Sequence, residues 1–134
     1  MIGAVIVTHG DLARTILEEA SGIAGKVDRV RALGVKDRGT SEEIKEMIAS
    51  AVRDVNGGEG VIIFTDMFGG TPTNIALTLM EEGVVEIVTG VNLPLIIKFL
   101  NNREGMGLKK LASLLVEHGH KSIVLASEML KGGK

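Results

Sequence analysis

Apolar residues follow two different patterns along this chain: short unbroken runs, and longer segments in which they recur every third or fourth position. An unbroken run such as residues 2–7 is typical of a strand buried on both faces of a parallel sheet. The longer pattern, first seen between Asp11 and Gly25, is typical of an amphipathic helix. The predicted strands are residues 2–7, 61–65, 84–89 and 122–126, with a weaker one within 27–35; the predicted helices lie between Asp11 and Gly25, between Thr40 and Asn56, and over 72–82, 95–100 and 108–118.

The order of these elements predicts the fold class. Four β-α units in sequence favour an α/β fold of three layers, with an open, mostly parallel sheet and helices on both faces. The more polar strand within 27–35 is expected near a sheet edge. Residues 36–39 are predicted as a loop and 131–134 as a frayed terminus. The chain has 134 residues, and we expect residues 1–134 to form a single domain.

Composition excludes several classes of function. A net charge of −2 gives no electrostatic basis for binding nucleic acid or an anionic membrane, and the absence of Trp and Tyr removes the usual platforms for base stacking. Without cysteine there is no disulfide, thiolate nucleophile or zinc–thiolate site. No run is long enough to span a membrane, and nothing resembles a signal peptide, so we expect a cytoplasmic protein.

The most informative stretch is residues 64–74, FTDMFGGTPTN, in which a strand ends in an acid and a helix follows a two-glycine turn. Gly70 and its neighbour Gly69 allow a tight turn and a close approach of the backbone to a ligand. Thr71 is expected to cap the helix, with Pro72 at its first position. The free N–H groups of such a turn suit an anion such as phosphate, and Asp66 lies at the rim of that site.

His9 ends the first predicted strand, as Asp66 ends the third, and Asn92 follows the fourth. Ligands of open parallel sheets bind outside the carboxyl ends of the strands, so these side chains are expected to converge. If Asp66 accepts the proton on one ring nitrogen of His9, the other keeps a free lone pair and is a competent nucleophile towards phosphorus. A lone histidine at a strand end is usually only a polar loop residue, and Asn92 could simply hold its own loop. The occurrence of all these residues at converging strand ends therefore supports a hypothesis of phosphohistidine chemistry. In this hypothesis His9 and Asp66 are catalytic and Gly70 and Thr71 bind phosphate. No metal or cofactor is expected.

Three blocks of the sequence, residues 5–10 (VIVTHG), 65–74 (TDMFGGTPTN) and 90–94 (GVNLP), together resemble the IIA component of the mannose-type bacterial phosphotransferase system. The resemblance covers essentially the whole chain. It implies a cytoplasmic, homodimeric carrier that takes a phosphoryl group from phospho-HPr onto His9 and passes it to a IIB protein for sugar uptake or regulation. Asp66 matches the acid that orients the histidine in this family, and Thr71 matches the hydroxyl residue beside the phosphate. The family fold also implies a last, antiparallel strand, exchanged across the dimer, which residues 122–126 would supply.

The sequence departs from this family at two positions beside the site, since many members have an aromatic residue where this chain has Thr73, and some have a polar one at Met67. No IIB segment follows, so the acceptor is expected to be a separate chain. Two other classes stay open: a receiver-type domain phosphorylated on Asp66, although it would need an acidic pair where Thr8 and His9 stand, and a non-catalytic nucleotide- or flavin-binding module, although a longer glycine-rich loop is missing.

Overall fold

Parallel strands form the sheet at the centre of the computed structural model, which describes residues 1–25, 27–35 and 39–132. The strand order is β2-β1-β3-β4, so β1 and β3 are the inner pair and β2 lies at an edge, as its polar sequence predicts. All three pairings are parallel. The strands are β1 (Gly3–His9), β2 (Val30–Val35), β3 (Val61–Thr65) and β4 (Val85–Thr89).

Helices cover both faces of the sheet, which confirms the predicted three-layer α/β fold. Helices α1, α4 and α5 share one buried apolar cluster with the sheet, and α2 and α3 share another on the opposite face. Among the residues that the structure describes, no helix has the length and apolar character needed to cross a membrane. The helices are α1 (Leu12–Ala24), α2 (Ser41–Val55), α3 (Thr71–Leu77), α4 (Leu93–Asn102), α5 (Leu108–Ser122) and α6 (Ala126–Gly132).

Strand β1 shows why its sequence is an unbroken apolar run. Successive side chains of a strand point to opposite faces, so Ala4 and Ile6 enter the cluster below α1, α4 and α5, while Val5 and Val7 enter the cluster below α2 and α3. All four side chains are fully buried. Burial on both sides anchors the strand whose last residue is His9.

The C-terminal region differs from the prediction. Helix α5 runs on to Ser122, residues 123–125 have no regular secondary structure, and Ala126 begins α6, so residues 122–126 do not form the predicted last strand in the described part of the chain. A strand requires a neighbour to take its backbone N–H and C=O groups. The apolar side chains here indicate only that the segment favours burial, and Ile123, Val124 and Leu125 are exposed.

Helix α3 is also shorter than the predicted 72–82, because it ends at Leu77. The next three N–H groups bond to carbonyls three residues back, and the Thr78 hydroxyl donates to the Ile75 carbonyl at 2.6 Å. Such tightening is common where a helix ends.

Two other predicted regions are covered only in part by the structure. Residues 36–38 of the predicted loop and residues 133–134 of the predicted frayed end lie outside the described residues. Residues 131 and 132 belong to α6.

Strand β2 approaches the end of β1 closely at Gly34. A Cβ added to Gly34 would lie 2.2 Å from the carbonyl oxygen of Gly10, which follows His9 directly. The Gly10 N–H donates to the Val35 carbonyl at 3.3 Å, so the two chain segments are joined at this point. The absence of a side chain at Gly34 therefore allows the turn after His9 to pack against β2.

We expect Gly34→Ala to lower the free energy of unfolding by about 1–3 kcal/mol, since a backbone atom has to move to accommodate the methyl group. Gly22→Ala is the matched control: this exposed position of α1 has open space around it, and alanine should raise stability by about 0.5–1 kcal/mol. Urea unfolding of both variants measures the two effects. Equal stabilities for Gly34→Ala and the parent protein would contradict the prediction.

Candidate functional site

His9 and Asp66 meet at the carboxyl ends of the two inner strands. Val7 of β1 is paired with Thr65 of β3, so the residues that follow them emerge side by side. The Nδ1 atom of His9 lies 2.7 Å from Oδ2 of Asp66, and the His9 backbone N–H donates to the same oxygen at 2.9 Å. The structure thus brings together two of the predicted site residues that are far apart in sequence.

This contact distinguishes the two ring nitrogens of His9. A carboxylate oxygen only accepts, so the short Nδ1–Oδ2 contact requires the ring proton on Nδ1. In the neutral ring, Nε2 then carries the free lone pair. The His9 side chain is 52% exposed, whereas that of Asp66 is only 13% exposed. The site therefore presents an accessible imidazole held from behind by a largely buried acid.

The Asp66 carboxyl group is held in its ionised form. Burial raises its pKa, but the hydrogen bonds from the backbone N–H and the ring of His9, together with the Met67 N–H, outweigh burial and bring the pKa below its ordinary value. The Met67 N–H donates to Oδ1 at 2.9 Å. Both carboxylate oxygens of Asp66 are consequently engaged, one with His9 and one with the loop.

Gly69 and Gly70 form the turn predicted between Asp66 and the helix, for two separate reasons. Gly69 has a φ of 94°, a left-handed conformation that favours glycine. Gly70 has an ordinary backbone conformation, but a Cβ there would lie 3.0 Å from Cε1 and 3.5 Å from Nε2 of His9. Glycine at position 70 therefore keeps the space beside the free ring nitrogen open.

Thr71 and Pro72 are each one position further along the helix than predicted. Gly70 is the N-cap of α3, no side chain caps this helix, and Thr71 is the first helical residue, with an exposed side chain. The predicted Thr71 cap is thus wrong. Backbone N–H groups of a first helical turn have no partner within the helix. The first turn of α3 directly follows Gly70, which lies next to His9.

Other polar residues near this end of the sheet lie outside the His9–Asp66 contact. The Asn92 side-chain oxygen accepts from the Leu95 N–H at 2.9 Å and so caps α4. The exposed guanidinium of Arg14 lies 3.6 Å from Asp11 and 3.7 Å from Glu18, the solvated arrangement expected for a surface arginine. Asp11 makes no side-chain cap of α1.

Buried threonines around the site were not predicted from the sequence. The Thr8 hydroxyl, fully buried, accepts from the Ala13 N–H at 2.8 Å and so provides a partner for the first turn of α1. Thr65 and Thr73 are also fully buried, below the loop that carries Asp66. A signal was available, since Thr8 and Thr65 each end an apolar strand and a hydroxyl buried there requires a partner.

Comparisons with known proteins show similarity over most of the chain. The sequence model of the family described as PTS system fructose IIA component (EIIA-man) matches residues 3–116. A fructose-specific EIIA component of the phosphotransferase system from Bacillus subtilis is 30% identical over 98% of this chain and 90% of its own length. The mannose-specific EIIAB component of Escherichia coli is 27% identical over 91% of this chain, which spans 38% of that protein.

A solved structure is also similar. The PTS IIA protein associated with the fucose utilization operon of Streptococcus pneumoniae has a TM-score of 0.83 and 28% identity, covering 96% of this chain and 95% of its own. The fold and the site define an α/β protein with a carboxylate-bound histidine at the carboxyl ends of the inner strands of its sheet. The chain belongs to the mannose-type IIA family of the bacterial phosphotransferase system, whose members are phosphotransferase proteins.

The lowered pKa of Asp66 predicts a pH-dependent contribution to stability. A carboxyl group whose pKa is lower in the folded than in the unfolded state, where it is about 3.9, stabilises the fold above that value and loses this effect as the pH falls through the folded pKa. We expect Asp66→Asn to lower the free energy of unfolding by about 1 kcal/mol at pH 7, and the difference from the parent protein to shrink below about pH 4.

Urea unfolding between pH 2 and pH 7 measures this difference. Asp11→Asn, which removes an exposed carboxylate near the same end of the sheet, should change stability by less than about 0.5 kcal/mol at pH 7. A deficit of Asp66→Asn that is the same at pH 3 and pH 7 would contradict the argument.

Proposed function

We propose that this protein is a phosphoryl carrier of the phosphoenolpyruvate-dependent sugar phosphotransferase system. His9 accepts a phosphoryl group from phospho-HPr and passes it to a separate IIB protein, for sugar uptake or for regulation. The observation that carries the proposal is the 2.7 Å contact of His9 Nδ1 with Asp66, which leaves Nε2 as the free nitrogen of an exposed ring in a chain of this family.

The proposed transfer exchanges one phosphorus–nitrogen bond for another. The Nε2 lone pair of His9 attacks the phosphorus of the donor's phosphohistidine, the donor's phosphorus–nitrogen bond breaks, and its electron pair returns to the donor ring. His9 keeps its Nδ1 proton throughout and gains positive charge as the new bond forms. Asp66, ionised and hydrogen-bonded to that proton, stabilises this charge, as the acid of a hydrolytic triad stabilises its imidazolium. Transfer to the acceptor reverses these steps.

The loop after Asp66 is proposed to hold the phosphoryl oxygens. Gly70 lies beside Nε2, and its N–H with that of Thr71 and the exposed Thr71 hydroxyl would surround a phosphoryl group on this atom. Passing a single phosphoryl group between histidines depends mainly on positioning, so the proposal includes no metal and no cofactor. His9 and Asp66 are the proposed catalytic residues, and Gly70 and Thr71 the proposed phosphate-binding residues.

The surface around His9 supports transfer between proteins. Leu12, Met67 and Phe68 expose apolar side chains on the two segments that follow β1 and β3, and Phe68 is 74% exposed. Exposed apolar side chains of this kind are typical of the centre of a protein–protein interface, where a partner buries them. We therefore place the donor and the acceptor, in turn, on this surface, in the cytoplasm, with residues 1–134 acting as one phosphocarrier domain.

A receiver-type role, in which Asp66 itself accepts the phosphoryl group, fits the geometry less well than a role in orienting His9. Its Oδ2 accepts two hydrogen bonds from His9 and its Oδ1 accepts one from Met67. A carboxylate with both oxygens engaged in this way is a poor nucleophile, whereas it is well placed to orient a histidine.

Intact-mass spectrometry after mixing the protein with phosphoenolpyruvate, enzyme I and HPr tests the carrier function. We expect a gain of one phosphoryl group that is labile to acid and stable to alkali, and its complete loss in His9→Ala. Gly70→Ala should slow the gain about tenfold or more, because its methyl group would lie against the ring of His9.

His118→Ala, which removes a histidine of α5, is the matched control and should accept phosphate as the parent protein does. Full phosphorylation of His9→Ala would overturn the proposal. A modification labile to alkali as well as to acid would instead identify an acyl phosphate on an acidic residue.

We also propose that the protein is a homodimer. The segment after α5 exposes apolar side chains at Ile123, Val124, Leu125, Met129 and Leu130. A groove of about 430 Å³ lies between β4 and α5, with Ile87, Ala112 and Val116 among its lining residues. Exposed apolar surface of this extent favours burial against a second copy.

Light scattering at micromolar concentration checks this, with twice the chain mass expected. Leu125→Asp should shift the protein towards monomer, because it places a charge in the proposed interface. Ser127→Asp, at an exposed polar position of the same segment, should remain dimeric. A monomeric parent protein would exclude the dimer.

A further inference from the structure

Two threonine hydroxyls lie beneath the loop that carries Asp66. Thr65 ends β3 and Thr73 lies in the first turn of α3, and both residues are completely buried. The Oγ1 atom of Thr73 is 2.7 Å from Oγ1 of Thr65 and 2.5 Å from the carbonyl oxygen of Met67. The loop therefore contacts the core through a polar group in a region that is otherwise apolar.

The direction of these hydrogen bonds follows from the number of protons. Thr73 has one hydroxyl proton, and the Met67 carbonyl can only accept, so the Thr73 proton is directed to Met67. The hydroxyl of Thr65 then donates to Thr73. Each buried hydroxyl has a partner, and the Met67 carbonyl is fixed from inside the molecule.

The Met67 residue connects this pair to Asp66. Its carbonyl accepts from Thr73, and its N–H donates to Oδ1 of Asp66 at 2.9 Å. The other oxygen of Asp66 accepts both hydrogen bonds from His9. The side chain of Met67 is exposed, so its packing does not hold this residue in place. The backbone hydrogen bonds of Met67 fix its position.

We propose that Thr73, supported by Thr65, is a positioning residue that sets the orientation of the Asp66 carboxylate and hence of the His9 imidazole. Thr73 makes no hydrogen bond to His9 and acts through Met67 and Asp66. The consequence for phosphoryl transfer rests on the function proposed above, whereas the consequence for the His9–Asp66 hydrogen bond does not. An apolar or aromatic side chain at position 73 could not hold the Met67 carbonyl in this way.

The alternative is that the two hydroxyls only satisfy each other in the core. In that case their removal would change stability but leave the geometry of the site intact. The two possibilities differ in one observable, the Nδ1 proton of His9, whose NMR resonance depends on the length of its hydrogen bond to Asp66.

The test compares three single variants by NMR of the His9 ring and by the single-turnover rate of transfer from phospho-HPr. Thr73→Val removes the hydroxyl with little change of shape, and we expect the Nδ1 proton resonance to move upfield and broaden and the transfer rate to fall about tenfold. Thr73→Ser keeps the hydroxyl and should restore both to near the parent values.

Thr78→Val is the matched control, because it also removes a threonine hydroxyl bonded to a carbonyl, at the end of α3 and away from the loop. It should leave the Nδ1 resonance and the rate unchanged. If Thr73→Val lowers the melting temperature but matches Thr78→Val in the Nδ1 resonance, the positioning role is wrong and the hydroxyl pair is only structural.

The double variant Thr65→Val with Thr73→Val separates stability from positioning. It leaves no unpaired hydroxyl in the core, so it should melt higher than Thr73→Val alone, while the Nδ1 resonance stays perturbed because Met67 still lacks its donor. Recovery of the resonance in the double variant would also overturn the proposal. If the parent protein accepts no phosphate at all, the carrier function fails, and the NMR comparison still decides the positioning role.

Discussion

One carboxylate oxygen of Asp66 joins the two inner strands at the point where the site lies. It accepts a hydrogen bond from the His9 backbone and another from the His9 ring, so the position of the strand end and the orientation of the imidazole are set by the same atom. An imidazole with only a backbone attachment would rotate freely about its side-chain bonds. Because the carboxylate is largely buried and ionised, it fixes the ring, selects the proton-bearing nitrogen and leaves the other nitrogen exposed.

That contact depends on the parallel pairing of β1 with β3, and the pairing depends on burial of the sheet on both faces. The alternate side chains of each inner strand enter two separate apolar clusters, which resist a shift of register because such a shift would move each side chain to the wrong layer. The polar groups of the site lie just beyond this rigid region. The loop from Asp66 to Gly70 is in turn fixed by Thr73 on its Met67 carbonyl and by Asn74, whose N–H donates to the Gly70 carbonyl.

Much of the fold was predictable from sequence, because a strand buried on both faces leaves a contiguous apolar run and an amphipathic helix leaves a regular spacing. The four parallel strands and the helices between them agree with those patterns. Of the predictions that were wrong, the last strand is the one that depends on groups distant in sequence. Residues 123–125 are apolar and β-branched enough to suggest a strand, yet apolar character does not specify a partner, and a strand without a neighbour has no regular hydrogen bonds.

At the site, the sequence by itself determined which chemical groups are present and that they lie at the same edge of the sheet, since parallel strands end together. His9, Asp66 and the two glycines were found in this way. Only the tertiary structure decided which ring nitrogen of His9 is free, that Gly70 is needed for space beside the ring, and that Thr73 rather than Thr71 supports the loop from within. The physical reason is that a hydrogen bond requires its two groups to be placed to within a few tenths of an ångström. At this site the two groups are up to 57 residues apart, and the periodicity of a sequence does not record their relative position.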